Sequence, residues 1–301
     1  MNQKNILSSR PTREQTMNGM DKTPARAIGD TKITLSGAAQ AYSVRGGRRE
    51  VLTGLDIEIK TNESVAVIGP TGVGKSTLLR LIAGFESPTT GEVKLWDDGR
   101  SSLAAPAAEI GYLFQQPALF PWMTVKENVL FGARHAKTYG TDKQAMFSQA
   151  DYFMDRVGLS DAADLFPYQI SGGMRARTAL ARVFLTRPKV LLMDEPFGAL
   201  DALTRREMYV LLRDLVSTSP ELTTVMVTHD VDEAITLCGT IMIISGIPGT
   251  ITSVYRSRLA AMAESAEDLQ REPDYVELKA ALLRSLNARR NETRTTTGAT
   301  S

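Results

Sequence analysis

The chain has 301 residues, enough for one large or two modest domains, and its 43% hydrophobic content supplies a buried core. With 35 Lys plus Arg against 34 Asp plus Glu, no global field draws it to nucleic acid or anionic lipid. The single cysteine, Cys238, excludes an internal disulfide framework or a cysteine-built zinc site and suits a reducing cytoplasm.

Residues 1–30 are polar, carry Pro11 and Pro24 and show no sustained apolar period, which reads as a disordered tail. No apolar run approaches the roughly 20 residues of a spanning helix, and residues 1–9 lack a signal peptide's apolar centre. The chain is therefore expected in the cytosol, reaching any membrane through a protein partner. Strands are predicted at 32–35, 51–59 and 64–68, with the turn-forming Arg45-Gly46-Gly47-Arg48 after the first, a pattern of antiparallel sheet. After Ile68 come a Gly-rich loop and a helix over 75–83. Residues 116–170 have few strand signals and an amphipathic stretch at 143–157, so a helical insert is predicted there. Apolar strands at 190–193, 224–228 and 240–245 alternate with helices at 173–185 and 205–217, as in a parallel sheet covered on both faces. From 247 to 286 the sequence turns polar and helical, with Val276, Leu278, Leu282, Leu283 and Leu286 as a docking face, and 287–301 reads as a disordered end.

Gly69-Pro70-Thr71-Gly72-Val73-Gly74-Lys75-Ser76-Thr77 fits Gly-x4-Gly-Lys-Ser/Thr, between a predicted strand and a predicted helix. Glycines let successive amide hydrogens turn inward and the helix presents its positive end, so a polyphosphate is held largely by main chain. Lys75 adds a full charge to the β- and γ-phosphates, and the Ser76 hydroxyl is a ligand for Mg²⁺. Kinase, GTPase and ATPase remain open at this point.

The strand at 190–193 ends in Asp194-Glu195, and in a parallel sheet that end faces the same crevice. Asp194 is placed to hold Mg²⁺, and Glu195 to take a proton from an attacking water. His229 follows the strand at 224–228, where an imidazole is equally a γ-phosphate contact or a solvated side chain. Tyr42 suits a sheet tyrosine or an aromatic face for adenine, and Gln115 a solvated strand end.

Residues 33–242 resemble the ATP-binding cassette family. The decisive segment is Ile170-Ser171-Gly172-Gly173-Met174-Arg175, similar to the family signature although Ile170 and Met174 replace the commoner Leu and Gln. The resemblance implies an α/β P-loop NTPase cassette over 31–246, with a RecA-like core, an antiparallel β subdomain and an α-helical subdomain. It implies an ATPase using ATP and Mg²⁺, with Tyr42 stacking on adenine, Gln115 at the metal or lytic water, Asp201 at the nucleotide interface and His229 as the switch histidine. Ser171, Gly172, Gly173 and Met174 would meet the γ-phosphate bound by a second copy, which makes the working unit a homodimer. Implied partners are integral membrane permease subunits at the cytoplasmic face of the inner membrane and, indirectly, a binding protein; nucleic acid is not among them. An exposed apolar groove around Leu119, Phe120, Trp122 and Met123 would receive the permease.

Met174, the run Asp194-Glu195-Pro196-Phe197-Gly198-Ala199-Leu200-Asp201, and Ile247-Pro248-Gly249 look like importers for nitrate, sulfonate and taurine. Cys238-Gly239-Thr240 departs from that pattern, where Ala-Asp-Arg is usual. A cytosolic cassette ATPase without transport, and an ATP-sensing regulatory subunit, are the alternatives.

Overall fold

Short apolar strands buried along nearly their whole length, and so covered on both faces, build the molecule around one sheet. The computed structural model describes residues 14–16, 31–97, 100–103, 109–135, 137–140, 142–262 and 266–297. Strands β1 (Glu14–Thr16), β2 (Thr31–Val44), β3 (Gly47–Lys60) and β4 (Ser64–Ile68) come first, followed by helix α1 (Lys75–Ile82). Next are β5 (Thr90–Asp97), β6 (Arg100–Leu103) and β7 (Ile110–Leu113), then α2 (Val125–His135), α3 (Lys143–Arg156) and α4 (Gly172–Leu185). The chain continues through β8 (Val190–Asp194), α5 (Ala202–Ser217), β9 (Thr223–Thr228), α6 (Val231–Leu237), β10 (Thr240–Ser245) and β11 (Thr250–Arg256). It closes with α7 (Leu259–Met262), α8 (Ala266–Arg271) and α9 (Pro273–Thr297).

The main sheet has seven strands in the order β1-β11-β10-β4-β9-β8-β7, parallel from β10 to β7. A second, antiparallel sheet runs β3-β2-β5-β6. On β4, Val65 and Val67 face one core with β2, β3 and α1, while Ala66 and Ile68 face the other with the helices. Successive side chains of a strand point to opposite faces, so one five-residue strand divides two cores. The order β4-β9-β8 brings the C-terminal ends of three parallel strands side by side, where a doubly covered sheet binds its ligand.

Within 116–170, α2 and α3 pack with α4 as the predicted helical insert. Asn128, fully buried, donates to the carbonyls of Phe120, Met123 and Thr124 and accepts from Phe120 N at 2.8 Å. This amide folds the 120–124 loop onto α2 and leaves Trp122 69% exposed above the Phe120 ring.

Three expectations for the chain ends are corrected. Residues 14–16, read as tail, pair in parallel with β11; the rest of 1–30 lies outside the described residues. The segment from 247 opens with a strand rather than a helix, because Ile251, Val254 and Tyr255 suit the edge of β10. Helix α9 continues to Thr297 through residues read as a disordered end, and 298–301 lie outside the described residues. Of the predicted docking face, Leu278 and Leu282 are buried in the helical core, one turn apart, whereas Val276 and Leu283 are exposed.

Candidate active site

The Gly-rich loop leaves β4 through a gap that only glycine fits. A Cβ on Gly69 would stand 2.3 Å from the carbonyl oxygen of Ile244 on neighbouring β10. Gly74, at φ 105°, caps α1 in the left-handed region and abuts Leu52, where a Cβ would lie 2.6 Å from Cδ2. These constraints set the first-turn amides of α1 around an anion-sized cradle. Lys75 is buried, and its Nζ donates to Gly69 O at 3.0 Å and Pro70 O at 3.2 Å.

Opposite the loop, Ser76 Oγ donates to Asp194 Oδ1 at 2.9 Å, so the hydroxyl and carboxylate predicted as metal ligands converge. Two hard oxygens side by side are the donor type that would suit Mg²⁺. Tyr112 Oη donates to Asp194 Oδ2 at 3.4 Å, and burial, followed by the Asp194 charge, pushes that phenol well above its ordinary range.

Glu195 departs from strand geometry with φ 44°, while its N–H donates to Val227 O at 2.9 Å. A non-glycine residue in the left-handed region is uncommon, and here the turn aims its carboxylate across three strand ends. Oε1 lies 3.5 Å from Lys75 Nζ. Oε2 accepts from Gln115 Nε2 at 3.4 Å and lies 3.2 Å from His229 Nδ1. One carboxylate thus gathers an ammonium from the start of α1 and an amide and an imidazole from just beyond the ends of β7 and β9.

The other predicted residues sit on β2 and at the starts of α4 and α5. Tyr42 sits on β2 with its hydroxyl donating to Glu86 Oε2; partial burial and that bond raise its pKa. Ser171 caps α4 by accepting from Met174 N at 3.2 Å, and Gly173 packs so closely on Thr204 that a Cβ would lie 2.7 Å from Cγ2. Asp201 caps α5, accepting from Leu203 N, Thr204 N and Thr204 Oγ1, which holds its carboxyl below the usual range. Its carboxylate is therefore committed to the helix start, beside the signature tip.

Sequence reasoning missed Glu86, the role of Tyr112, and Glu233. Glu233 is 3% exposed, accepts from Thr228 Oγ1, and is pushed up to about 7 by burial, with the Thr228 hydrogen bond opposing. An acid in the first turn of α6 looks like an ordinary helix-start charge, so periodicity gave no sign of its burial.

The family description "ABC transporter" matches residues 52–198. The nitrate import ATP-binding protein NrtD of Synechocystis sp. is 39% identical over 80% of this chain and 90% of its own length. The chain belongs to the ABC transporter family. This cassette is an ATPase with the α/β P-loop fold the resemblance implied. The taurine import ATP-binding protein TauB of Pseudomonas aeruginosa is 38% identical over 84% of the cassette's chain and 95% of its own. Among solved structures, a dimeric post-hydrolysis state of the ATP-binding cassette MJ0796 bound to ADP and Pi matches with TM-score 0.65 and 28% identity. It covers 74% of this chain and 98% of that one.

Proposed function

We propose that this cassette energises import of a small solute of the nitrate, sulfonate or taurine kind, as a homodimer docked on two permease subunits at the cytoplasmic face of the inner membrane. A binding protein delivers the solute to the permease. The observation carrying this reading is the Glu195 carboxylate, held within 3.5 Å of Lys75, Gln115 and His229. The names of the relatives support import, and among the described residues no helix is long and apolar enough to cross a membrane.

The loop amides of 69–77 and Lys75 hold the β- and γ-phosphates, and the Tyr42 ring takes adenine. Ser76, Asp194 and Gln115 would hold Mg²⁺, which when bound would neutralise phosphate charge. Glu195 accepts a proton as water attacks the γ-phosphorus; the bond to the ADP oxygen breaks and phosphate leaves. With Nδ1 turned to Glu195, His229 keeps Nε2 for a γ-phosphate oxygen. The tip Ser171-Gly172-Gly173, with its serine exposed, and Met174 offer amides and a helix N-terminus to ATP on a second copy, positioned by Asp201 at the flank.

The test is reconstitution in proteoliposomes with permease subunits of a nitrate or taurine importer. Phosphate release that rises with labelled nitrate or taurine uptake is expected; phosphate release indifferent to any permease would point to a cassette outside transport.

A further inference from the structure

Glu195, Arg205, Thr228, His229, Asp230 and Glu233 line a cavity of about 20 Å³. Such a volume holds one water, provided it finds two or more polar partners. Two buried polar atoms of these lining residues lack a hydrogen-bond partner among the described residues: Glu233 Oε1 and Arg205 Nε. The rest of each group is engaged. Glu233 Oε2 accepts from Thr228 Oγ1, while the Arg205 guanidinium donates to Leu200 O at 2.9 Å and to Asp230 Oδ2 at 3.4 Å. One orphan is a donor and the other an acceptor, so a single water satisfies both, and leaving such groups unmatched costs about 1–3 kcal/mol each.

We propose that Glu233 and Arg205 share one buried water, and that this bridge makes Glu233 a positioning residue for His229. The inference rests on the role given above to His229. The link runs through short bonds: Asp230 N donates to Thr228 Oγ1 at 3.0 Å, and Asp230 Oδ1 accepts from the α6 amides of Asp232 and Glu233. The turn carrying His229 is thus clamped on both sides by groups that meet at Glu233. Through Arg205 and Leu200 the same clamp reaches the 198–201 segment beside the signature tip. Glu233, whose carboxyl sits near neutrality, suits the bridge in either form, because a water accepts from O–H as readily as it donates to a carboxylate.

The test compares the full chain, with its permease, to Glu233→Gln, Glu233→Leu and His229→Ala by phosphate release. A crystal structure of the unmodified protein at a resolution that shows waters complements the kinetics. An ordered water within hydrogen-bond reach of Arg205 Nε and Glu233 Oε1 is expected. Glu233→Leu should lower kcat about tenfold with KM for ATP unchanged, and Glu233→Gln should restore most of it. A dry cavity, or parental kcat in Glu233→Leu beside a dead His229→Ala, overturns this inference alone. Parental kcat in His229→Ala overturns the histidine's role and this inference with it.

Discussion

Lys75 Nζ lies 3.5 Å from Glu195 Oε1. The ammonium also donates to the carbonyls of Gly69 and Pro70, so three oxygens surround a cation with three protons. The two groups to which the proposed mechanism gives phosphate binding and proton acceptance are therefore electrostatically tied. Under that mechanism a γ-phosphate drawing on the Lys75 charge would loosen its hold on Glu195, making nucleotide binding and base activation parts of one exchange.

Lys75→Ala is expected to weaken ATP binding about a hundredfold, as hydrogen bonds to charged groups are worth roughly 1.5–3 kcal/mol each. Titration with a fluorescent ATP analogue measures it. Unchanged affinity would remove Lys75 from the phosphate site.

Glu195→Gln keeps the side-chain shape and loses the base. Turnover should fall by at least about 10²-fold, the contribution of a positioned general base, while MgATP still binds. Sedimentation of this variant at saturating MgATP should show a dimer. A monomer, alone and with its permease, would dismiss the shared-phosphate arrangement.

How far the sequence carried the fold is clearest at particular elements. β4, β10 and α4 were legible to within a residue because glycines flank all three and unbroken apolar runs mark the two strands. Ser76 with Asp194, and Glu195 with His229, were placed in one crevice from parallel-strand logic alone, and their side chains do meet. Strand β11 was read as helix because its pairing with β10 is a tertiary fact, and periodicity could not reveal it. Glu233 and Glu86 escaped for a related reason: the burial of Glu233 and the pairing of half-buried Glu86 with the distant Tyr42 are tertiary facts, so each looks locally like any surface acid.

Gly249 is an unpredicted support of the phosphate loop. Its N–H donates to Val51 O at 2.8 Å and its carbonyl accepts from Thr53 N at 3.1 Å, which pins it against the loop. A Cβ there would lie 2.2 Å from Val73 O, a backbone atom. Gly249→Ala should cost about 1–3 kcal/mol in urea unfolding and weaken ATP binding. Gly239→Ala, whose Cβ would meet nothing closer than Ser257 O at 3.5 Å, serves as the control and should stay within about 0.5 kcal/mol.

The Glu233 carboxyl gives stability a pH dependence of definite sign. Burial raises it from 4.5 to about 7, with Asp230 and Glu195 adding to the rise and Thr228 and Arg205 opposing it. Between those values the folded chain keeps a proton that the unfolded chain has released, so stability falls as pH climbs from 4.5 to 7 and levels off above. The full drop is on the order of 3 kcal/mol at 1.36 kcal/mol per pH unit. Glu233→Gln has no proton to lose, so relative to the parent it should gain stability across this window and hold the gain at pH 8. Urea unfolding at pH 5, 6, 7 and 8 measures the difference; a gap between the two proteins that does not change with pH would show that Glu233 stays ionised throughout.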